Sequence, residues 1–358
     1  MERYIIQLYH LGKVPWEETQ LIYHALARLN RESLCLVSPS TPYVCIGYHQ
    51  QADTEVDLDY CERNNLPVFR REVGGGAVYL DGDQYFFQLI LRKDNPIVPK
   101  NKIAFYKKFI QPVIESYKRI GIPAEYKAVN DVISGSRKIS GTGAGEIGDS
   151  VVFVGNLIMD FNYRMMSKIL KVPDEKFRDK LHKTLEDNLS TIIRELGGER
   201  ASEWSESSLN DIMVEEFQKI TGPFEPGKRD ELLIKKEDEL REKMMTEEWL
   251  LQKGKKRISD KVIKIKSGTQ IIHKLHKATG GLIRADYEID EDRFKGISLS
   301  GDFFCFPEDT INWIEDMLVG RSPAKTEELL RALYEEKGIE TPGVEIDDWL
   351  KVLGPNPQ

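Results

Sequence analysis

Residues 69–84 read F-R-R-E-V-G-G-G-A-V-Y-L-D-G-D-Q: a strand end, a glycine run and a second extended start. The pattern predicts a strand over 66–71 closed by Arg70 and Arg71, then Gly74, Gly75 and Gly76 without a break, then extended chain from Ala77 and Val78 to Leu80. Consecutive glycines reach backbone angles closed to other residues and let a ligand touch the main chain itself. Their N–H groups beside arginines suit a carboxylate or a phosphate. Alone, such a run reads as a hairpin turn with a solvated arginine pair.

A second stretch shifts that balance. Residues 130–146 read N-D-V-I-S-G-S-R-K-I-S-G-T-G-A-G-E, followed at 151–160 by V-V-F-V-G-N-L-I-M-D. Ser134-Gly135-Ser136 predicts a turn between two strands, which sets Lys138 just after a hairpin. A lysine is a compact point charge able to hold a phosphoryl or acyl oxygen as charge develops there. Any one of 51 basic residues is otherwise an ordinary surface side chain. Gly141, Gly143 and Gly145 follow the lysine instead of preceding it, so this is no P-loop. No helical pattern opens here, so it is no dinucleotide fingerprint either, and ATP bound at this place would lie on strands and loops. Gly155-Asn156 is expected to interrupt a strand over 151–159, where something approaches the backbone closely.

The rest of the chain sets the frame. Its 358 residues allow a sizeable core and two or three domains. A net charge of −8 argues against a nucleic-acid partner. No apolar run is long enough to cross a membrane. The start Met1-Glu2-Arg3-Tyr4 shows no signal or transit pattern, and four scattered cysteines lack C-x-x-C spacing, so the expectation is a reduced, cytoplasmic protein. Six histidines show no ligand spacing, which leaves a structural metal unexpected. Helical spacing appears over 17–29 and 105–120, the latter with a kink at Pro112 and a cap at Gly121. Short strands are expected over 34–37 and 43–47. The apolar run 85–91 reads as a strand covered on both faces, near the middle of a sheet. Helical, charged segments follow over 163–196, with a break at Val172-Pro173, and over 229–251, where Leu233, Leu240 and Met244 share a face. Residues 254–257 read as a linker. Beyond them comes a small α/β unit with strands over 262–266, 270–276, 282–290 and 296–304, helices over 307–318 and 325–337, and a loose tail from Gly354.

Taken together, R-R-E-V-G-G-G-A-V-Y-L-D, N-D-V-I-S-G-S-R-K-I-S-G and V-G-N-L-I-M-D, in this order, resemble the three sequence blocks of lipoate–protein ligases in the biotin/lipoate ligase superfamily. P-Y-V-C-I-G-Y-H-Q, K-I-L-K-V-P-D-E-K-F-R-D-K over 168–180, Glu247-Glu248-Trp249 and the unit around S-G-D-F-F at 300–304 resemble the family's further segments, so the similarity spans nearly the whole chain. The resemblance implies an α/β (α+β) fold with a mixed, mostly antiparallel sheet flanked by helices, like a class II synthetase core. It implies a catalytic domain over 1–250 and an accessory C-terminal domain over 257–358. The reaction implied has two halves: free lipoate and ATP, with Mg²⁺, give lipoyl-AMP, and a lysine of a lipoyl-acceptor protein then takes the acyl group. The acceptor would be an H-protein-like lipoate-binding protein or the E2 lipoyl domain of a 2-oxoacid dehydrogenase.

The roles carried over follow the same positions. Lys138 would be catalytic, touching carbonyl and phosphate oxygens of the adenylate. Arg71 would hold the carboxylate or phosphate, and Gly74, Gly75, Gly76, Ala77 and Val78 would let acyl chain and nucleotide lie on bare backbone. Asn130 and Asp131 would order magnesium or phosphate, with Asp131 as the metal ligand. Gly141, Gly155 and Asn156 would border the nucleotide, while Tyr43 and Phe87 would wall the acyl tunnel. The chain departs from the usual pattern at Leu80-Asp81 (commonly His-Asp), at Gln84, at Val154-Gly155-Asn156 (commonly His-Gly-Thr) and over 187–192. Two alternatives remain. An ATP-independent octanoyl or lipoyl transferase of the same fold needs a cysteine nucleophile, and none lies between Cys61 and Cys305. A non-catalytic protein that binds lipoate or its adenylate would release no pyrophosphate.

Overall fold

The computed structural model describes residues 5–253 and 270–355. The linker expected over 254–257 and the strand expected over 262–266 lie outside them. The strands are β1 (Gln7–Val14), β2 (Ser33–Pro39), β3 (Tyr43–Ile46), β4 (Val68–Arg70), β5 (Val78–Leu80), β6 (Gln84–Arg92), β7 (Ala124–Lys127), β8 (Asp131–Ser134), β9 (Arg137–Ile147), β10 (Ser150–Ile158), β11 (Glu225–Pro226), β12 (Gln270–Ala278), β13 (Gly281–Asp290) and β14 (Arg293–Gly301). The large sheet runs β11-β1-β2-β6-β10-β9-β8-β7. Only β11–β1 and β1–β2 are parallel, and every other pair is antiparallel. This is the mixed, mostly antiparallel sheet expected, with the apolar β6 inside it.

Helix Trp16–Arg28 covers this sheet with a buried run that includes Leu21, Ile22, Ala25 and Leu26. A small sheet, β4-β3-β5, stands apart from the large one. The strands β12-β13-β14 form a third, antiparallel sheet, and helices Thr310–Leu318, Thr326–Lys337 and Ile346–Leu353 share with it a separate core around Trp349. Phe304 and Phe306, just beyond β14, pack instead into the core of the large sheet. No described helix is long and apolar enough to cross a membrane.

Three local expectations are corrected. Residues 105–120 are not one kinked helix: Lys102–Phe109 ends and Gln111–Arg119 begins anew, with Pro112 in its first turn, where a missing N–H breaks no hydrogen bond. Gly121 follows at φ +90°, as a left-handed cap requires. β10 runs unbroken through Gly155, which pairs with Phe87 on one side and Thr142 on the other. The last helix, Ile346–Leu353, was not foreseen, although a capping box from Glu345 to Asp348 announces it.

Candidate functional site

The floor of the site is one face of β6, β10 and β9. Antiparallel partners share a face, so Val154 opposite Gln88 and Gly143, and Asn156 opposite Phe86, point the same way. Strict alternation along β9 would turn Lys138 away from Gly141 and Gly143. A bulge prevents this: Val132 pairs with Ser140 but Ile133 pairs with Lys138, leaving Ile139 as the extra residue. Ile139 is buried in the core, and Lys138 joins the face of the glycines. Its chain lies over Gly141, where a Cβ would sit 3.1 Å from Lys138 Cε. The ammonium meets the Asp131 carboxylate at 2.6 Å across the β8–β9 hairpin, with the two side chains 35% and 28% exposed. That hairpin turns at Gly135, φ +57°. Asn130 is pinned beside them: its amide donates to Thr142 O, and its own carbonyl accepts from Thr142 Oγ1 at 2.7 Å.

The glycine run forms the opposite wall. Gly47 and Gly75 meet backbone to backbone, since a Cβ on Gly47 would fall 1.9 Å from Gly75 O, and Gly75 takes φ +92°. Here the first and second sequence blocks touch. The close approach that the glycines permit is filled by the chain itself: Gly75 N–H faces Phe303 O at 3.4 Å, and a Cβ on Gly74 would lie 2.5 Å from the same carbonyl. Arg71 shapes this loop. Its Nη2 donates to Gly74 O and Gly76 O at 2.8 and 3.0 Å, and its Nη1 points to Cys45 O and Sγ. Arg70, the other half of the pair, is wholly buried and no solvated side chain. It donates to the carbonyls of Gly47, Tyr48, Gln50 and Leu250, and Trp249 Nε1 donates to its own carbonyl, so it ties helix Glu247–Leu250 to the loop after β3. Burial lowers its pKa to about 10, which still leaves it charged at neutral pH.

Floor and wall enclose a cavity of about 470 Å³, a size ordinary for small-molecule sites. Every sequence-predicted site residue lines it: Arg71, Gly74, Gly75, Gly76, Ala77, Val78, Asn130, Asp131, Lys138, Gly141, Gly155 and Asn156. So do the departures Leu80, Gln84 and Val154. The two expected wall residues do not. Tyr43 is buried under the site, bonded to Gln20 and Thr19. Phe87 points to the other side of the sheet against Phe153 and Phe217, and its neighbours Phe86 and Gln88 line the cavity. In a continuously apolar strand nothing in the sequence says which parity faces the ligand. Gly155 is glycine because a Cβ there would lie 2.4 Å from Phe87 Cζ.

Residues that the sequence reading missed complete the walls. Gln20 and Tyr23 come from the first helix, Leu185 and Leu189 from beyond β10, and Lys277, Gly281, Asp302 and Phe304 from the C-terminal unit. Cys45 also lines the cavity; burial raises its pKa and keeps it a neutral thiol despite the neighbouring Arg71. His49, buried and stacked on Phe303 at 5.3 Å, accepts at its carbonyl from Gly301 N–H, and Arg284 pairs with Glu55 at 3.0 Å, so the C-terminal unit is seated directly on the loop after β3. Among the described residues no group of three or more His, Cys, Asp or Glu side chains is placed to hold a metal ion. A single partly exposed carboxylate, Asp131, fits Mg²⁺ that arrives with a nucleotide, since that ion takes one or two carboxylates and keeps phosphate oxygens and waters as its other ligands.

The family described as Lipoyl protein ligase A/B catalytic domain matches residues 13–218. Lipoate-protein ligase A subunit 1 of Thermoplasma acidophilum is 27% identical over 221 residues, 58% of this chain and 79% of that one. Subunit 2 of the same ligase is 49% identical over 77 residues, 22% of this chain and 81% of that one. Among solved structures, a bipartite lipoate protein ligase studied with its E2 lipoyl domain from Thermoplasma acidophilum superposes with a TM-score of 0.62 at 26% identity, over 70% of this chain and 97% of that one.

Proposed function

We propose, from the premise that the chain belongs to the lipoyl protein ligase A/B catalytic domain family, that it is an ATP-dependent lipoate–protein ligase. It converts free lipoate to lipoyl-AMP and passes the lipoyl group to a specific lysine of a lipoyl-acceptor protein. The observation that carries this reading is the meeting, across one cavity, of Lys138 on its bulge and the glycine wall. Residues 1–250 form the catalytic unit and 257–358 the accessory unit. The separate core around Trp349 supports that division, as does the match of a single chain to both subunits of a two-subunit ligase.

The roles follow from the geometry. A lipoate carboxylate oxygen attacks the α-phosphorus, and the bond to pyrophosphate breaks. The Lys138 ammonium, already oriented by Asp131, lies where the oxygens of the reacting carboxyl and phosphoryl groups gather charge, and such fixed charge needs no reorganisation as the reaction proceeds. In the second half the acceptor amine adds to the acyl carbonyl, AMP leaves, and the same ammonium steadies the tetrahedral oxygen. Asp131 would hold Mg²⁺, which would offset polyphosphate charge while bound. Arg71 acts on the substrate through the loop it orders, and Asn130, Gly141, Gly155 and Asn156 border the nucleotide. The acceptor is an E2 lipoyl domain or an H-protein-like protein; the lipoyl domain paired with the bipartite relative supports the first.

Mixing the protein with ATP and lipoate tests the reading by pyrophosphate release, followed by mass measurement of an added lipoyl domain. Release of pyrophosphate and a lipoyl mass increment on one lysine are expected. Acyl transfer from a carrier without ATP, or lipoate binding without pyrophosphate, would refute it in favour of a transferase or a sensor. The buried, protonated Cys45 makes the transferase the weaker alternative.

A further inference from the structure

Away from Lys138, the cavity ends against the first helix in a pocket of uncharged polar side chains. Gln20, Tyr23 and Gln88 line it, and all three are almost wholly buried. Their hydrogen bonds are directional. Gln20 Nε2 donates to Tyr43 Oη at 2.7 Å, and Tyr23 Oη donates to Gln20 Oε1 at 3.3 Å. Gln88 Nε2 donates to Thr19 O at 2.6 Å, which fixes which end of that amide is which. Gln88 Oε1 is thereby turned away from the helix, at 2% residue exposure, with no partner among the described residues. An unpaired buried acceptor costs stability unless something donates to it. A resident water needs two to four polar partners, and the donors of Gln20 and Tyr23 are already committed.

We propose that this end of the cavity selects a carboxylic acid whose far end carries a hydrogen-bond donor, received by Gln88 Oε1. The inference rests on the acid-activating reading above and names the class of acid. The orientation follows from charge: Lys138 and Asp131 stand at the partly exposed end, where phosphates keep water and counter-ions, so the uncharged buried end receives the acyl tail. An aliphatic tail there would leave Gln88 Oε1 desolvated and unpaired. A hydroxyl, or the thiols of the ring-opened dithiol form of lipoate, would satisfy it, whereas the closed dithiolane and a terminal methyl would not.

The test is ATP–pyrophosphate exchange with four acids, 8-hydroxyoctanoate against octanoate and dihydrolipoate against lipoate, on wild type and on Gln88→Met. The wild type is expected to favour the hydroxy acid by about tenfold in kcat/KM, the worth of one neutral hydrogen bond. The dithiol is expected to be favoured by less, because a thiol is a weak donor. In Gln88→Met both ratios fall to about one. Equal wild-type rates, or preference for octanoate, overturn the inference while leaving the ligase reading intact, and these measurements need no variant to fold. A Gln88→Met effect on the KM for ATP with unchanged acid ratios also overturns it, because the pocket would then hold the base. Absence of exchange with every acid refutes the ligase reading itself, and the inference with it.

Discussion

Lys138→Ala separates stability from chemistry, and the structure sets the size of each effect. The ion pair with Asp131 is short, 2.6 Å, but both side chains are about one-third exposed. Pairs of that kind are worth about 0.2–1 kcal/mol, so the variant should melt within about 2–4 °C of wild type. The bulge that presents the residue is held by the backbone ladder and by buried Ile139, and it stays when the side chain is shortened. The chemical loss is larger: removing one fixed donor aimed at developing charge costs about 10²–10³ in kcat, or about 2.7–4 kcal/mol. Exchange of labelled pyrophosphate into ATP with lipoate present reads the first half-reaction. Transfer from added lipoyl-AMP to a lipoyl domain reads the second. Both should fall by that factor while the melting curve barely moves. Near-normal exchange refutes the catalytic assignment. A drop in melting temperature beyond about 10 °C would instead mark Lys138 as a structural anchor, against the reasoning from exposure.

Two further predictions concern the floor and its support. Gly155→Ala drives a Cβ to 2.4 Å from Phe87 Cζ and 2.9 Å from Gly141 O; overpacking between two strands should cost about 1–3 kcal/mol by denaturant unfolding, and Phe87→Leu in the same chain should recover part of it, whereas strict additivity would contradict the contact. His24 is wholly buried and neutral, donating from Nδ1 to Gln20 O at 2.6 Å and accepting at Nε2 from Glu72 N–H, and burial lowers its pKa from 6.5 to about 4. The unfolded chain therefore binds a proton that the folded one refuses as pH falls through this window, and stability declines from pH 6.5 towards 4 by about 3 kcal/mol. His24→Gln should flatten that slope in pH-dependent unfolding, and an unchanged slope would refute the assignment.

Much of the site was legible because its signals are local. The hairpin at Ser134–Ser136, the glycine run and the buried strand β6 are dictated by residues within a few positions of each other, through φ preference and side-chain periodicity. The residues singled out in three separate blocks converge on one cavity. The misses have equally definite causes. Arg71 and Arg70 look alike in sequence, yet one shapes the cavity wall and the other is buried as a backbone clamp, because only the fold brings Leu250 O to Arg70 and Gly76 O to Arg71. The helix Ile346–Leu353 carried a capping signal that was simply not read.

By itself, then, the sequence determined the chemical parts: flexible main chain, one ammonium, one carboxylate, and a sheet to carry them. Tertiary structure decided their directions. A single extra residue at Ile139 turns Lys138 onto the ligand face, the even parity of β6 sends Gln88 inward and Phe87 outward, and Phe303 and Phe304 come from a distant unit to meet the glycines. Side-chain direction on a strand changes with every one-residue shift, and that register is fixed only by the neighbouring strands and the packing on each face.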